Sequence, residues 1–383
     1  MELIPNEDQR ALQDSIQRLL ADHYNMAQRA EYAREPAGWS RAIWQQYAGL
    51  GLLGLTIAER HGGTGFGAAE VMVAMEALGH ALVLEPWLPT VVVGAQAIAL
   101  AGSVAQQEEW LPQIAAGTLT IAWAHAEQAL QALPSDLSPV LTTATPHPKG
   151  WLLHGAKTMV AHGDSAARLL VSARLASGEL ALFLVDAASP GLTRESFATQ
   201  DGLRAAHVRL THLVVAQQDR LGADDAAPVI EHLCDLALAA VCAEAVGVLQ
   251  EMLDLTVEYL KTRKQFGVVI GSFQVLQHRA VDMLVAVDAA RSMALFAAAM
   301  ATEPDPLERR RAMAAAKVQI GRSARFVGQQ AVQLHGGMGV SMEAKVAQCF
   351  LRSTAIEHQF GGTEHHLRAL ARLGGLIPAG ELA

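Results

Sequence analysis

The stretch from Pro228 to Gly267 restricts the fold more than any other part of the chain. Val246, Leu249, Leu253, Val257 and Leu260 recur at helical spacing, so one helix is expected to start near Pro228 and to stop at Gly267. Apolar residues make up 51% of the chain and charged residues only 17%, with runs such as Ala314–Ala316, so such a helix must be covered by other helices or by another subunit. A second helix is expected after Gly271-Ser272, and Pro304 and Pro306 break the next connection. A third ends at Gly336-Gly337, and Ser341 can cap a fourth. Residues 226–383 therefore read as a four-helix bundle.

Residues 1–117 also read as helices. Asn6 followed by Gln9 forms a capping-box pattern, after which Leu12, Ile16 and Leu19 repeat at helical spacing. The glycine-rich segment from His61 to Gly67 lacks the Lys-Ser/Thr ending of a phosphate loop, and no strand precedes it, so a turn is expected. Between 118 and 225 the pattern changes. Thr118–Trp123, Gly150–Leu153, Leu169–Ala173, Leu180–Val185, His207–Leu210 and Leu213–Val215 read as strands, with turn signals at Leu133–Asp136 and Ser189–Gly191. No long helical pattern separates them, which argues for an antiparallel β domain and against a Rossmann fold. The expected class is α+β, mainly α.

With 383 residues the chain can bury a large core, and its formal charge of −9 offers no long-range attraction for nucleic acid or anionic lipid. Arg309–Arg311 is accordingly expected to be a solvated helix face. The N-terminus shows no signal-peptide pattern, and no uncharged apolar run reaches the roughly 18 residues of a membrane span. The best stretch, Leu236 to Val257, contains Glu244, Glu251 and Asp254. A cytoplasmic protein without membrane insertion is expected. Cys234, Cys242 and Cys349 form no CxxC pair and are expected as buried thiols. No metal site is expected, because His365 and His366 point about 100° apart on a helix with no further ligand cluster in sight.

Three segments carry a resemblance: Leu260-Lys-Thr-Arg-Lys-Gln-Phe-Gly267, Gly271-Ser-Phe-Gln-Val-Leu-Gln-His278 and Gln333-Leu-His-Gly-Gly-Met-Gly339. In this order the chain resembles the acyl-CoA dehydrogenase family of FAD enzymes over essentially its whole length. Cys242–Gly247, Thr199–Arg204 and Lys317–Arg322 look most like the small subunit of the bacterial pimeloyl-CoA dehydrogenase type, a subgroup that overlaps with heteromeric enzymes acting on steroid side-chain thioesters.

The resemblance implies removal of a Cα proton from an acyl-CoA by a glutamate base while a hydride leaves Cβ for the flavin. One family position for that base falls on Gly361, or on Phe360 when counted without a gap from Gln333; the other falls on Ala237, followed by Leu238. None can take a proton. Glu244, Asp235, Glu357 and Glu364 are the displaced carboxylates at hand, with Glu244 the candidate base among them, and ordinary surface or helix-pairing acids are the expectation for all four. The resemblance implies that Arg263 meets the FAD pyrophosphate, that Phe266, Phe273 and Gln274 line the adenosine half with Gln265 nearby, and that Gln333, Leu334, His335, Gly336 and Gly337 approach the same dinucleotide. Ala237 and Arg263 lie about 39 Å apart along one helix, longer than an extended FAD, so they serve different flavins in neighbouring subunits. The flavin-ring segments of relatives correspond to Ala124–Gln128 and Lys157–His162, where Met159 and Ala161 replace tryptophan and threonine. His125 and His162 are expected as turn or strand-edge histidines.

These points lead to the expectation of a non-catalytic small subunit in an α2β2 acyl-CoA dehydrogenase, with a large subunit as partner and electron-transfer flavoprotein as acceptor. An autonomous homotetramer with an unusual base and a non-enzymatic scaffold are the alternatives. The acyl group, dicarboxylic, fatty or steroid-derived, stays open.

Overall fold

A computed structural model of the chain describes residues 6–127 and 140–375, so the expected Leu133–Asp136 turn and Gln128 lie outside the described residues. The N-terminal part is helical: α1 (Glu7–His23), α2 (Met26–Tyr32), α3 (Arg41–Gly49), α4 (Ala68–Ala81), α5 (Ala95–Ala101) and α6 (Val104–Ala115). Asn6 and Gln9 form the capping box that starts α1, each side chain bonding the other's main-chain N–H. His61–Gly67 is a turn, with Gly62 at φ 84° and Gly65 at φ 67°.

Eight strands follow: β1 (Ile121–Ala124), β2 (Thr143–His147), β3 (Gly150–Ala161), β4 (Arg168–Leu175), β5 (Leu180–Asp186), β6 (Leu192–Ala198), β7 (Arg204–Val215) and β8 (Arg220–Leu221). They form one sheet in the order β6-β7-β3-β2-β4-β5-β8, with β1 added on β4. The expected antiparallel sheet carries two parallel pairings, β1 with β4 and β2 with β4. Such pairs are joined by crossovers rather than hairpins, so apolar alternation along the chain could not disclose them. Leu153, Leu169, Val171, Phe183, Val185, Leu210 and Leu213 centre its core.

The C-terminal part consists of α7 (Ala227–Thr262), the short hairpin of β9 (Lys264–Gln265) and β10 (Val268–Val269), then α8 (Gln274–Met300), α9 (Pro306–His335), α10 (Lys345–His358) and α11 (Thr363–Arg372). Helix α7 ends at Thr262 rather than Gly267, because the chain turns back at Phe266-Gly267 to close the hairpin. A fifth helix, α11, joins the expected four. Ser341 does not cap the fourth: residues Gly336–Val340 coil into a 3-10 turn, and α10 starts later, behind Ala344. Arg309–Arg311 is not a solvated face either. Arg309 is buried with Nη1 on the Glu303 carbonyl, and Arg311 donates through Nη2 to the carbonyl of Leu373 just past α11. Carbonyls left unpaired at helix ends recruit both guanidiniums.

The chain divides into two compact units. One comprises Ala27–Gly67 and Leu84–Ala237 and contains the sheet; the other comprises the described parts of Met1–Met26, Ala68–Val83 and Leu238–Ala383. In the second unit, α4 and α7 meet backbone to backbone. A Cβ on Gly247 would stand 1.9 Å from the Glu76 carbonyl oxygen, and one on Gly79 would stand 2.2 Å from that of Glu244. All three cysteines are buried and unbridged, and burial pushes the Cys242 thiol up to about 12.

Two helices, α7 and α8, are long and apolar enough to cross a membrane. Helix α7 spends that length in the protein core, with 83% of its most apolar window buried. Helix α8 buries only 33% of its window, yet Arg279, Asp282, Asp288 and Arg291 interrupt its apolar residues.

Gly247→Ala is expected to destabilise the protein by about 1–3 kcal/mol through overpacking of the α4–α7 crossing. Gly337→Ala, where an added Cβ meets no atom within 4 Å, is the control and should leave the urea midpoint unchanged. Equal midpoints for the two variants would show that the crossing tolerates separation.

Candidate functional site

The end of α7 and the end of α9 are joined by one ring stack. Tyr259 lies against His335 with centroids 4.5 Å apart and planes inclined by 27°. His335 is buried; its Nδ1–H donates to the Ala331 carbonyl at 2.8 Å, and burial lowers its pKa against the opposing pull of hydrogen bonds to the Ala331 and Leu255 carbonyls. One turn after Tyr259, Arg263 leaves the helix with an exposed side chain, and its carbonyl accepts from Ile270 N at 2.9 Å, closing the hairpin. The stack thus brings Arg263 and the Gln333–Gly337 segment, distant in sequence, into one neighbourhood.

Phe266 and Gly267 form the two-residue turn of that hairpin, with φ of 55° and 79°. Two left-handed residues are what such a turn requires, but a bulky aromatic in the first position is strained. Phe266 is nevertheless 89% exposed, meeting Phe273 edge-on at 6.4 Å. Phe273, itself partly exposed, precedes Gln274, the first residue of α8. Across the stack, Leu334 is buried, Gln333 is exposed, and Gly336 ends α9 at φ 61°. A Cβ on Gly336 or Gly337 would meet nothing within 4 Å, so no side chain of the protein crowds these two positions, and the Gly336 N–H donates to the Gln333 carbonyl. A cation, two exposed rings and an amide side chain are groups that a dinucleotide takes. Gln265 is exposed on β9.

The two positions that the resemblance implies for a base, Ala237 and Gly361, hold no carboxylate. Ala237 is fully buried inside α7. Gly361 sits at φ 98° after Phe360 at φ 57°, in a turn pinned on several sides. The ammonium of Lys317, on α9, donates to the carbonyls of Ile356 at 2.7 Å and Glu357 at 2.9 Å, while His366 Nε2–H donates to the Phe360 carbonyl at 2.9 Å. Burial brings Lys317 down to about 8 and His366 to about 4. Glu357 is held by Arg325 at 3.0 Å and by the Thr363 hydroxyl at 3.2 Å. Glu244 is gripped by Arg352, with Nε on one carboxylate oxygen at 2.6 Å and Nη2 on the other at 2.8 Å. Both oxygens are taken up by a bidentate pair, which suits a helix tie between α7 and α10 rather than a proton acceptor. Glu364 is exposed in the first turn of α11, and Asp235 is buried in α7.

In the sheet, sequence reasoning missed the group that organises the flavin-ring segments. Lys157, fully buried on β3, donates to Glu127 Oε1 at 2.7 Å, Ser172 Oγ at 3.1 Å and the His125 carbonyl at 3.2 Å. Glu127 also accepts from the Thr142 hydroxyl at 2.8 Å and from Leu141 N at 2.8 Å. His125 Nδ1 and Ser172 Oγ are 2.7 Å apart, and the imidazole stacks on Trp123 at 5.5 Å. Burial lowers Lys157 to about 8 against the pull of Glu127. Burial alone would raise the Glu127 carboxyl, but the Lys157 ammonium and the hydrogen bonds outweigh it. The network fixes the main chain at His125 and Glu127, while Met159 and Ala161 on the same strand as Lys157 carry neither an aromatic ring nor a hydroxyl. Met159 is exposed at φ 51°, within the register shift of β3 between Lys157 and Val160.

The family model described as acyl-CoA dehydrogenase, N-terminal domain, matches residues 6–118, and that of the C-terminal domain matches residues 229–374. The chain is similar to the acyl-CoA dehydrogenase FadE27 of Mycobacterium tuberculosis, 32% identical over 87% of this chain and 88% of the relative. Among solved structures it is similar to a chain from a variant of the Tcur3481-Tcur3483 steroid ACAD, with a TM-score of 0.86 and 31% identity over 98% of this chain and 99% of that one. It is also similar to a chain of the ChsE4-ChsE5 complex from Mycobacterium tuberculosis, with a TM-score of 0.86 and 28% identity over 97% and 98% of the two chains.

Lys157 and Lys317 each titrate near 8 in the folded chain, against an ordinary value of 10.5. Between those values the unfolded chain binds more protons, so stability rises with pH and the gain is lost as pH falls through 8. The urea midpoint should increase from pH 8 to 9, above which the buried Cys242 thiol opposes the trend. A Lys157→Met/Glu127→Gln double variant should show a shallower rise; an identical slope would mean that Lys157 does not titrate there.

Proposed function

We propose that this chain, which belongs to the acyl-CoA dehydrogenase family, is the partner subunit of a heteromeric enzyme that desaturates an acyl-CoA thioester, and that it completes the FAD site of a larger subunit carrying the base. The observation that carries this reading is the Phe266-Gly267 turn, an aromatic residue strained at φ 55° and 89% exposed. Strain and exposure of one apolar ring both cost free energy in the isolated chain, and both are offset when the ring is covered.

FAD is the cofactor of this family, and when bound it accepts the hydride that leaves the acyl Cβ. The residues at the ends of α7 and α9 fit its adenosine-pyrophosphate half: Arg263 pairs with the pyrophosphate, Phe266, Phe273 and Gln274 line the adenosine, and Gln333, His335, Gly336 and Gly337 approach with main chain and polar side chains. Leu334 fixes that segment from the core and His335 through its stack on Tyr259. The segments of the chain's own sheet fit the flavin ring less well, since Met159 and Ala161 supply neither an aromatic wall nor a hydroxyl. No carboxylate at Ala237 or Gly361 can take the Cα proton. That step falls to the partner.

Helix α8 supplies a face for the partner to cover. Val275, Val281, Leu284 and Val285 are exposed along it, contiguous in sequence with the Phe266–Phe273 segment. The similarity to chains of a two-component complex and of a steroid ACAD supports another chain of this family as occupant and a steroid-derived acyl group. Electron-transfer flavoprotein is the proposed acceptor. The bidentate, half-buried Arg352–Glu244 pair speaks against an autonomous enzyme with Glu244 as base.

Purified alone, the chain is expected to retain little FAD and to show negligible dehydrogenase turnover. In the complex, Arg263→Ala should reduce FAD retention at least tenfold while circular dichroism stays unchanged. Turnover by the isolated, FAD-loaded homo-oligomer would sink the reading. A second expectation concerns Gly361→Glu: a side chain at φ 98° is strained by about 1–3 kcal/mol, so the variant should melt earlier without gaining activity. A gain in turnover with unchanged stability would show that the turn still accepts a base.

A further inference from the structure

Three ligand-type side chains converge where α4 runs against α7, away from the ends of α7 and α9. His80 Nε2 lies 2.8 Å from Glu251 Oε2 and 3.9 Å from Asp254 Oδ2, and the three ligand atoms all lie within 4.8 Å of one another. Glu251 and Asp254 are three residues apart on α7 and so share a face. The other oxygen of each acid is held from outside: Lys345 Nζ is 2.7 Å from Glu251 Oε1, and Gln250 Nε2 donates to Asp254 Oδ1 at 3.0 Å. Gln250 is itself fixed, its Oε1 accepting from Arg291 Nη2 at 3.1 Å, and Arg291 pairs with Glu76 on α4.

Hydrogen bonding among the three groups does not account for this arrangement. An imidazole Nε2–H has one proton, and Glu251 takes it at 2.8 Å. The inward oxygen of Asp254, at 3.9 Å, lies beyond hydrogen-bond distance of the same nitrogen. Two carboxylate oxygens facing one ring nitrogen, each acid braced through its far oxygen, is the arrangement of metal ligands with their outer supports. His80 and Lys345 also line a cavity of about 500 Å³ bounded by Gln17, Tyr24 and Asn25, which leaves room for water to complete a coordination shell.

We propose that His80, Glu251 and Asp254 bind a divalent transition metal of the zinc class, tying α4 to α7 at the cavity wall. One imidazole and two carboxylates suit a borderline cation, and the side chains present three ligands with the remaining positions open to the cavity. The ion replaces the lone proton between His80 and Glu251 and brings in Asp254. The site needs no flavin and no acyl-CoA, so it stands or falls apart from the proposed function. No spacing in the sequence pointed to it, because its histidine comes from another helix.

The test uses the full chain, stripped with EDTA and titrated with Zn2+ by calorimetry and with Co2+ by visible absorption. One Zn2+ per chain, a raised melting temperature and a Co2+ d–d band are expected. Asp254→Asn keeps the shape of an exposed side chain and should weaken binding at least tenfold with the fold retained; His80→Ala should remove the Co2+ band. Failure to bind Zn2+ supplied at roughly 100 µM overturns the proposal. So does binding that survives both substitutions, which would locate the metal elsewhere.

Discussion

Helices α4 and α7 approach so closely that only glycine fits at the crossing. Gly79 and Gly247 each face a main-chain carbonyl of the other helix, at distances a Cβ could not occupy. Once the backbones are that close, the flanking side chains have to meet: Arg291 with Glu76 and, on the α10 side, Arg352 with Glu244 as ion pairs, and His80 with Glu251 at 2.8 Å. The same helix carries Tyr259 to the stack with His335, and so sets where Arg263 and the following hairpin emerge. Packing at a pair of glycines is thus the condition for the arrangement of the dinucleotide-type residues.

Charge in the interior is handled differently in the two units. In the sheet, Lys157 is paired with Glu127 and satisfied by a hydroxyl and a carbonyl, so the buried ion pair has its remaining donors occupied. In the helical unit, Lys317 meets the last carbonyls of α10, where a cation complements the helix dipole. Each ammonium holds main chain in place, at the His125 carbonyl in one case and at the Ile356 and Glu357 carbonyls in the other.

Much of this was legible from particular residues. The capping box at Asn6 and Gln9, the apolar stripe of α7, the prolines before α9 and the glycines after it each specify a local backbone, and all four occur where local chemistry places them. The family motifs around Arg263 and Gly336 were equally plain. What escaped was set by contacts between distant residues: the parallel pairings of β4, the burial of Arg309, the late start of α10 and the Lys157–Glu127 pair. Polar side chains read as surface when only their neighbours in sequence are known, because a lone charged residue is costly to bury and its partner cannot be seen.

The sequence by itself determined the order of helical, β and helical segments, the family, and the absence of a carboxylate at Ala237 and Gly361, since periodicity, motif and residue identity are properties of the chain alone. Only the tertiary structure decided that Gly361 is a left-handed turn residue, that Glu244 is spent on Arg352, and that Phe266 stands exposed under strain. The reason is physical: a dihedral angle, a paired carboxylate and an uncovered ring arise from how distant segments pack, and no local pattern encodes them.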